Sequence, residues 1–345
     1  MAHELLDRAM PELKPPEEAY YRAVYIRVLT HYLTGEYDRA LEAIRDLLES
    51  PDPNDCGQAL ALRAWVAAKR GDLRAHLNLM LEALNEYLSA KEPDQYGLAH
   101  TVETLAVMCR ELAVEDRVIE CVRTGLNRVR LSEATAFPRF QSMRLLGWAQ
   151  ALRGDEIAAL RAWRDAQAAP PSEFWRVFCL VDRAYLSLVM GRIDAGTKIL
   201  DQADRVASGL KWSETREEER LILITIAQLF SERDPGRSER YLALYRTLSS
   251  PMEQRIGWVG DPRARAMELY PQAVALLRLD ESAAAIPMLE EAWDIFTSVE
   301  YGWRAALAAL DLYKATGKAD WLQRAREHIA PWPHSWVARD VRNAG

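Results

Sequence analysis

Seven short blocks of like sequence recur along this chain. A sequence that repeats every few tens of residues folds as a stack of like units, each burying its apolar face against the next. Gly35–Arg45 and Ala113–Arg123 share their polar positions: Asp38 with Asp116, Arg39 with Arg117, Glu42 with Glu120 and Arg45 with Arg123. Further copies begin at Gly71, Gly154, Gly191 and Gly317, and one at Asp280, where Asp-Glu-Ser-Ala-Ala replaces the glycine. Successive starts lie 36, 42, 41, 37, 89 and 37 residues apart. The long interval leaves room for one more copy, centred near Asp234-Pro-Gly236, so the pattern predicts eight helical hairpins.

Each block has a physical logic. A glycine closes the first helix of a hairpin because the chain must turn back within a few residues, often through φ > 0. Small residues let the two helices approach: Ala64, Ala106, Gly147, Ala184 and Ala273 on first helices, Ala40, Ala159, Gly196 and Ala285 on second helices. Bulky residues one turn later, Ile44, Met80, Val122, Trp163, Leu200 and Leu289, fill the space between hairpins. Alternating β-branched runs bounded by turn residues are absent, so the expected fold class is all-α.

Composition narrows the function classes. The 345 residues exceed a usual single-core domain, and 49% are apolar, enough for an extended core. A net charge of −7 argues against direct nucleic-acid binding, which draws on a cationic surface. The apolar stretch Leu221–Phe230 is about half the ~20 residues that span a bilayer, and is expected as a buried helix. Met1–Glu4 opens no secretory signal, so no membrane role and a cytoplasmic location are expected. Cys56, Cys109, Cys121 and Cys179 lack CxxC or zinc spacing and read as small core residues in a reducing compartment. The six histidines are dispersed, no metal set is expected, and no phosphate loop or nucleophile elbow is present. No cofactor and no catalysis are expected.

The copy from Phe140 to Pro171 carries Gly147, Gly154, Ala159, Trp163, Ala166 and Pro171. Those residues stand where the tetratricopeptide pattern has small, Gly, Ala, bulky aromatic, Ala and Pro. The chain resembles the tetratricopeptide repeat family over about residues 17–331. The resemblance implies a right-handed α-α superhelix. Residues 1–16, ending in Pro15-Pro16, are expected as a leading helix or cap, Ser249–Pro262, with Pro251 and Gly257–Pro262, as a flexible hinge, and residues 332–345 as a capping segment. Departures are visible. The spacings exceed the 34-residue standard, His76 replaces an expected small residue, the copy near Asp234 has no clear register, and Leu322 and Arg326 break the last copy. Long, degenerate repeats of this kind are similar to the sensor arrays of large LuxR-type bacterial regulators, MalT-like in layout. The segment from Pro331 to Arg342 resembles the one that precedes a DNA-binding helix-turn-helix there, although none follows before Gly345.

By the same resemblance, first helices line a concave groove. Position nine of each gives Leu29, Trp65, Val107, Trp148, Tyr185, Val274 and Asp311, and position five includes Arg144, Tyr270 and Leu307. Position twelve adds Arg110 and Lys314, and position two adds His100 and Gln141. The candidate ligand-binding set is Trp65, His100, Arg110, Gln141, Arg144, Trp148 and Tyr185, since aromatics supply rigid contact area and arginine a donor fork. For the two tryptophans a second reading stays open, packing against the next hairpin. Arg117, Arg123, Arg128 and Arg130 read as a solvated face or a site for an acidic partner. Trp321, Trp332 and Trp336 read as an end contact between copies, giving a homo-oligomer, or as a seal on the last hairpin.

The expected function is a non-enzymatic, regulatory binding module for a peptide, a protein or a small-molecule effector, with the sensor part of a LuxR-like regulator as its sharper form. A scaffold or assembly chaperone is the alternative, and an enzyme inside the superhelix the outsider.

Overall fold

The computed structural model describes residues 13, 15, 17–168, 170–212, 217–248 and 262–345. The expected leading cap and hinge fall almost wholly outside the described residues. Among those described the chain is all helix, with 17 helices and no strand. In chain order they form eight hairpins and a closing helix, as the repeat predicts.

The hairpins are α1 (Glu18–Leu33) with α2 (Tyr37–Leu48), α3 (Pro53–Lys69) with α4 (Leu73–Ser89), and α5 (Gln95–Glu111) with α6 (Asp116–Arg128). Next come α7 (Glu133–Leu152) with α8 (Glu156–Ala168), α9 (Glu173–Val189) with α10 (Ile193–Ser208), and α11 (Glu217–Phe230) with α12 (Pro235–Thr247). Last are α13 (Pro262–Arg278) with α14 (Ser282–Ser298), α15 (Gly302–Thr316) with α16 (Ala319–Ile329), and the single α17 (Trp336–Asn343). The chain divides into two compact units: Met1–Cys109 with Val114–Leu145, and Arg110–Ala113 with Leu146–Gly345.

The hairpin turns share one geometry. Gly35, Gly71, Gly154 and Gly191 take φ between 75° and 82°. In each turn the amide after the glycine bonds back to the third-last residue of the first helix, as in Asp72 N to Ala67 O at 3.0 Å and Arg192 N to Ser187 O at 2.8 Å. This satisfies carbonyls that the helix end would otherwise leave without partners. Asp280, which breaks the glycine pattern, adopts the same turn with φ 64°, and Glu281 N bonds to Leu276 O at 2.9 Å. A Cβ is strained in that region, so Asp280→Gly is expected to stabilise the protein by about 1 kcal/mol, read as a higher midpoint of urea unfolding. Second helices are capped where the sequence permits. Asp72, Asp155 and Asp234 accept from Ala75 N, Ala158 N and Arg237 N at 2.8–3.0 Å.

The small and bulky series are buried as their spacing requires. Ala40, Ala64, Ala106, Ala159, Ala184, Ala273 and Ala285 are fully enclosed, and so are Met80, Val122, Trp163, Leu200 and Leu289. Gly147 shows why size is limited here: an added Cβ would lie 2.4 Å from the indole nitrogen of Trp163. Ile222, Leu223, Ile224, Ile226 and Ala227 of α11 are wholly buried, which accounts for the longest apolar stretch. No described helix is long and apolar enough to cross a membrane.

Within the second unit, the last helix returns to the first hairpins. Arg339 of α17 donates to Val189 O of α9 at 2.6 Å, and the Trp336 and Tyr185 rings meet at 5.6 Å. Trp303 of α15 stacks on Trp148 of α7 at 6.0 Å and donates its indole N–H to Arg110 O at 3.0 Å. Trp321, Trp332 and Trp336 are all buried within this unit, so they seal its last hairpin. Ser335, wholly buried, caps α17 by accepting from Ala338 N at 3.1 Å. Ser335→Ala is expected to cost about 1–2 kcal/mol, measured by urea unfolding.

Candidate functional site

First helices present their inward positions to one another, and in the second unit these positions converge. Tyr185 of α9, Tyr270 of α13, and Leu307, Asp311 and Lys314 of α15 line a single cavity of about 160 Å³. All five stand at positions five, nine or twelve of the repeat, those the sequence register turns inward. Leu188 and Leu229 add apolar wall, and Gln228, Glu232, Arg233 and Arg278 add polar wall. Trp336 and Asp340 of α17 close the remaining side.

The polar groups are tied to one another. Tyr270 donates to Asp311 Oδ2 at 2.8 Å, and the Lys314 ammonium lies 3.4 Å from Asp311 Oδ1. Arg278 pairs with Glu232 at 2.9 Å and donates to Gln228 O at 3.1 Å. Burial, then the charge of Asp311, raises the pKa of both Tyr185 and Tyr270 well above the ordinary tyrosine range. Both phenols therefore stay protonated at neutral pH, and Tyr270 is the one that donates within the protein.

A second buried polar group lies in the same unit. Arg110 pairs with Glu111, and Asp182 and Tyr301 act on the same guanidinium. Burial works against the Arg110 charge, but Glu111 with Tyr301 and Asp182 holds its pKa above the usual value. Burial lowers the pKa of Arg304, whose guanidinium lies 4.4 Å from the Trp303 ring centre. Such a cluster holds its members in one arrangement because removing any partner leaves a charge buried alone.

The seven candidate residues divide between the units. In the second, Tyr185 lines the cavity, Arg110 belongs to the buried cluster, and Trp148 is a packing residue. The Trp148 ring is 8% exposed and enclosed by Trp163, Tyr185 and Trp303 at 5.4–6.0 Å. In the first unit, Trp65 packs on Tyr32 at 6.0 Å, and His100 lies 3.2 Å from Glu103 with its ring against Tyr96. Arg144, buried, donates to Gln141 Oε1 at 3.0 Å. The arginine series is a solvated face: Arg117 pairs with Glu115 and Arg123 with Glu120, and Arg128 and Arg130 are exposed. Cys109 and Cys179 are buried, and Cys56 and Cys121 are half-buried.

Sequence reasoning missed Arg278, Gln228, Glu232, Arg233, Trp336 and Asp340. The copy that holds Gln228 to Arg233 has no readable register, and α17 reaches the cavity from about 150 residues away along the chain. Arg278 lies on a first helix but off the inward positions. No group of His, Cys, Asp and Glu among the described residues could hold a metal ion. No family model matches the chain, and no curated protein matches it.

Proposed function

We propose that this chain is a non-enzymatic binding module of the tetratricopeptide type, and that it holds a small molecule or the end of a peptide in the cavity of its second unit. The observation that carries the reading is the convergence of inward positions from α9, α13 and α15 on one cavity with aromatic, apolar and charged walls. Binding sites are concave, with apolar wall and a few placed polar groups; this one is smaller and its wall mixes apolar and charged groups. A role as the sensor part of a LuxR-like regulator follows from the long, degenerate repeats, in which a ligand stabilises one arrangement of the array.

The test is a thermal-shift screen of the full chain against small metabolites and short peptides, beside Leu307→Phe, which fills the cavity. A ligand at 100 times its Kd adds about 2.7 kcal/mol of stability. At least one compound should raise the melting temperature of the wild type and leave the variant unmoved. If every hit shifts both proteins alike, the cavity is not the binding site. Exposed Ile157 and Ile193 on the first turns of α8 and α10 favour the scaffold reading instead. In that case Ile157→Glu with Ile193→Glu would abolish complex formation and leave ligand binding intact.

A further inference from the structure

We infer that the cavity takes a small organic anion, a monocarboxylate whose apolar body is about the size of one ring. The inference rests on the reading of this cavity as the ligand site and adds the chemical class.

Every carboxylate lining the cavity is engaged within the protein. Asp311 accepts from Tyr270 and faces Lys314, Glu232 pairs with Arg278, and Asp340 pairs with Arg339 at 3.2 Å. The donors are less occupied. Among the described residues the Tyr185 hydroxyl has no hydrogen-bond partner. Arg278 engages Nε and Nη1, which leaves Nη2 for a ligand. The Lys314 ammonium has three protons and one contact, at 3.4 Å, and its side chain is 56% exposed. A ligand that brings acceptors and negative charge satisfies these groups, whereas a cationic ligand would compete with Arg278, Lys314 and Arg339 for carboxylates already paired.

The remaining wall decides the rest of the molecule. Leu188, Leu229, Leu307 and Leu310, with the Tyr185 and Trp336 rings, offer surface that only an apolar body matches. The volume of about 160 Å³ is close to the ~150 Å³ of a cavity that encloses benzene. A whole nucleotide is too large for it. The anionic group belongs at the Lys314 side, where the wall meets solvent, and the apolar body against the leucines.

Benzoate, benzamide and benzylamine share one body and differ in charge, so they test the class directly. The full chain is titrated with each by calorimetry, beside Tyr185→Phe and Lys314→Met. Neither substitution removes a hydrogen bond shorter than 3.4 Å, and both variants should melt with the wild type. Benzoate should bind saturably, benzamide at least tenfold more weakly and benzylamine not measurably. Each variant should weaken benzoate about tenfold, as expected for one hydrogen bond to a charged group. If benzamide or benzylamine binds as well as benzoate and the variants weaken it, the anion class is wrong while the ligand site stands. Equal benzoate binding by wild type and both variants would place that site elsewhere and overturn the inference. If none of the three binds at millimolar concentration, the inference is overturned, while the thermal-shift screen beside Leu307→Phe decides the ligand-site reading separately.

Discussion

Trp163→Ala should destabilise the second unit by about 4 kcal/mol, within the range for deleting a fully buried aromatic. The indole has no exposed surface, sits against the bare backbone of Gly147 and packs edge-on to Trp148 at 5.4 Å. The neighbouring helices cannot close the void, because Ala159 and Ala166 on the same helix are already in contact with their surroundings and buried. Urea unfolding should show a lower midpoint with little change in slope. The reverse substitution probes the same contact. Gly147→Ala forces a methyl into the indole and should cost about 1–3 kcal/mol. Combined with Trp163→Phe, which vacates that space, it should cost less than the sum of the two single changes. A loss below 1 kcal/mol for Trp163→Ala would mean that the hairpin interface is loosely packed, contrary to this structure.

Glu268→Ala is expected to lose about 3–5 kcal/mol, because it strands a buried guanidinium. Arg220 of α11 and Glu268 of α13 are each 5% exposed and pair at 2.8 Å. Tyr245 of α12 completes the cluster. It accepts from Arg220 at 3.0 Å, donates to Glu268 at 3.1 Å and lies under the guanidinium at 4.9 Å. Burial and the Glu268 charge push its phenol up to about 12, so it remains a donor throughout the physiological range. Arg220 Nε and Nη1 have no partner among the described residues, so its charge depends on Glu268. The double variant Arg220→Met, Glu268→Leu should recover most of the loss, since desolvation offsets much of the attraction in a buried pair. Equal losses in the single and double variants would show that packing, rather than charge, holds these helices together.

Much of the fold could be read from spacing. Gly35, Gly71, Gly154, Gly191 and Gly317 all take positive φ, and Asp280 follows them as the block alignment requires. The small and bulky positions are buried because a hairpin of two helices has one close-approach line, and the residues on it recur with each turn back. Even the hairpin without a register could be placed from the length of its interval and from Asp234-Pro-Gly236, where α12 begins with Asp234 as its cap. These are local properties, set by residues within about forty positions of one another.

The site was legible only in part. Position counting put Tyr185, Tyr270, Leu307, Asp311 and Lys314 on inward faces, and those faces meet. The same counting placed Trp148 inward too, yet Trp303 covers it, from a helix that begins only at Gly302. Pattern assigns a residue to a face. Whether that face meets solvent, a ligand or another helix depends on where distant hairpins arrive, and that is the sum of many small rotations between neighbours. The return of α17 onto α9 is such a sum, and it walls one side of the cavity in this unit. Repeat, turn and helix faces were thus written in neighbouring residues, while the cavity arose only from contacts between residues far apart in the chain.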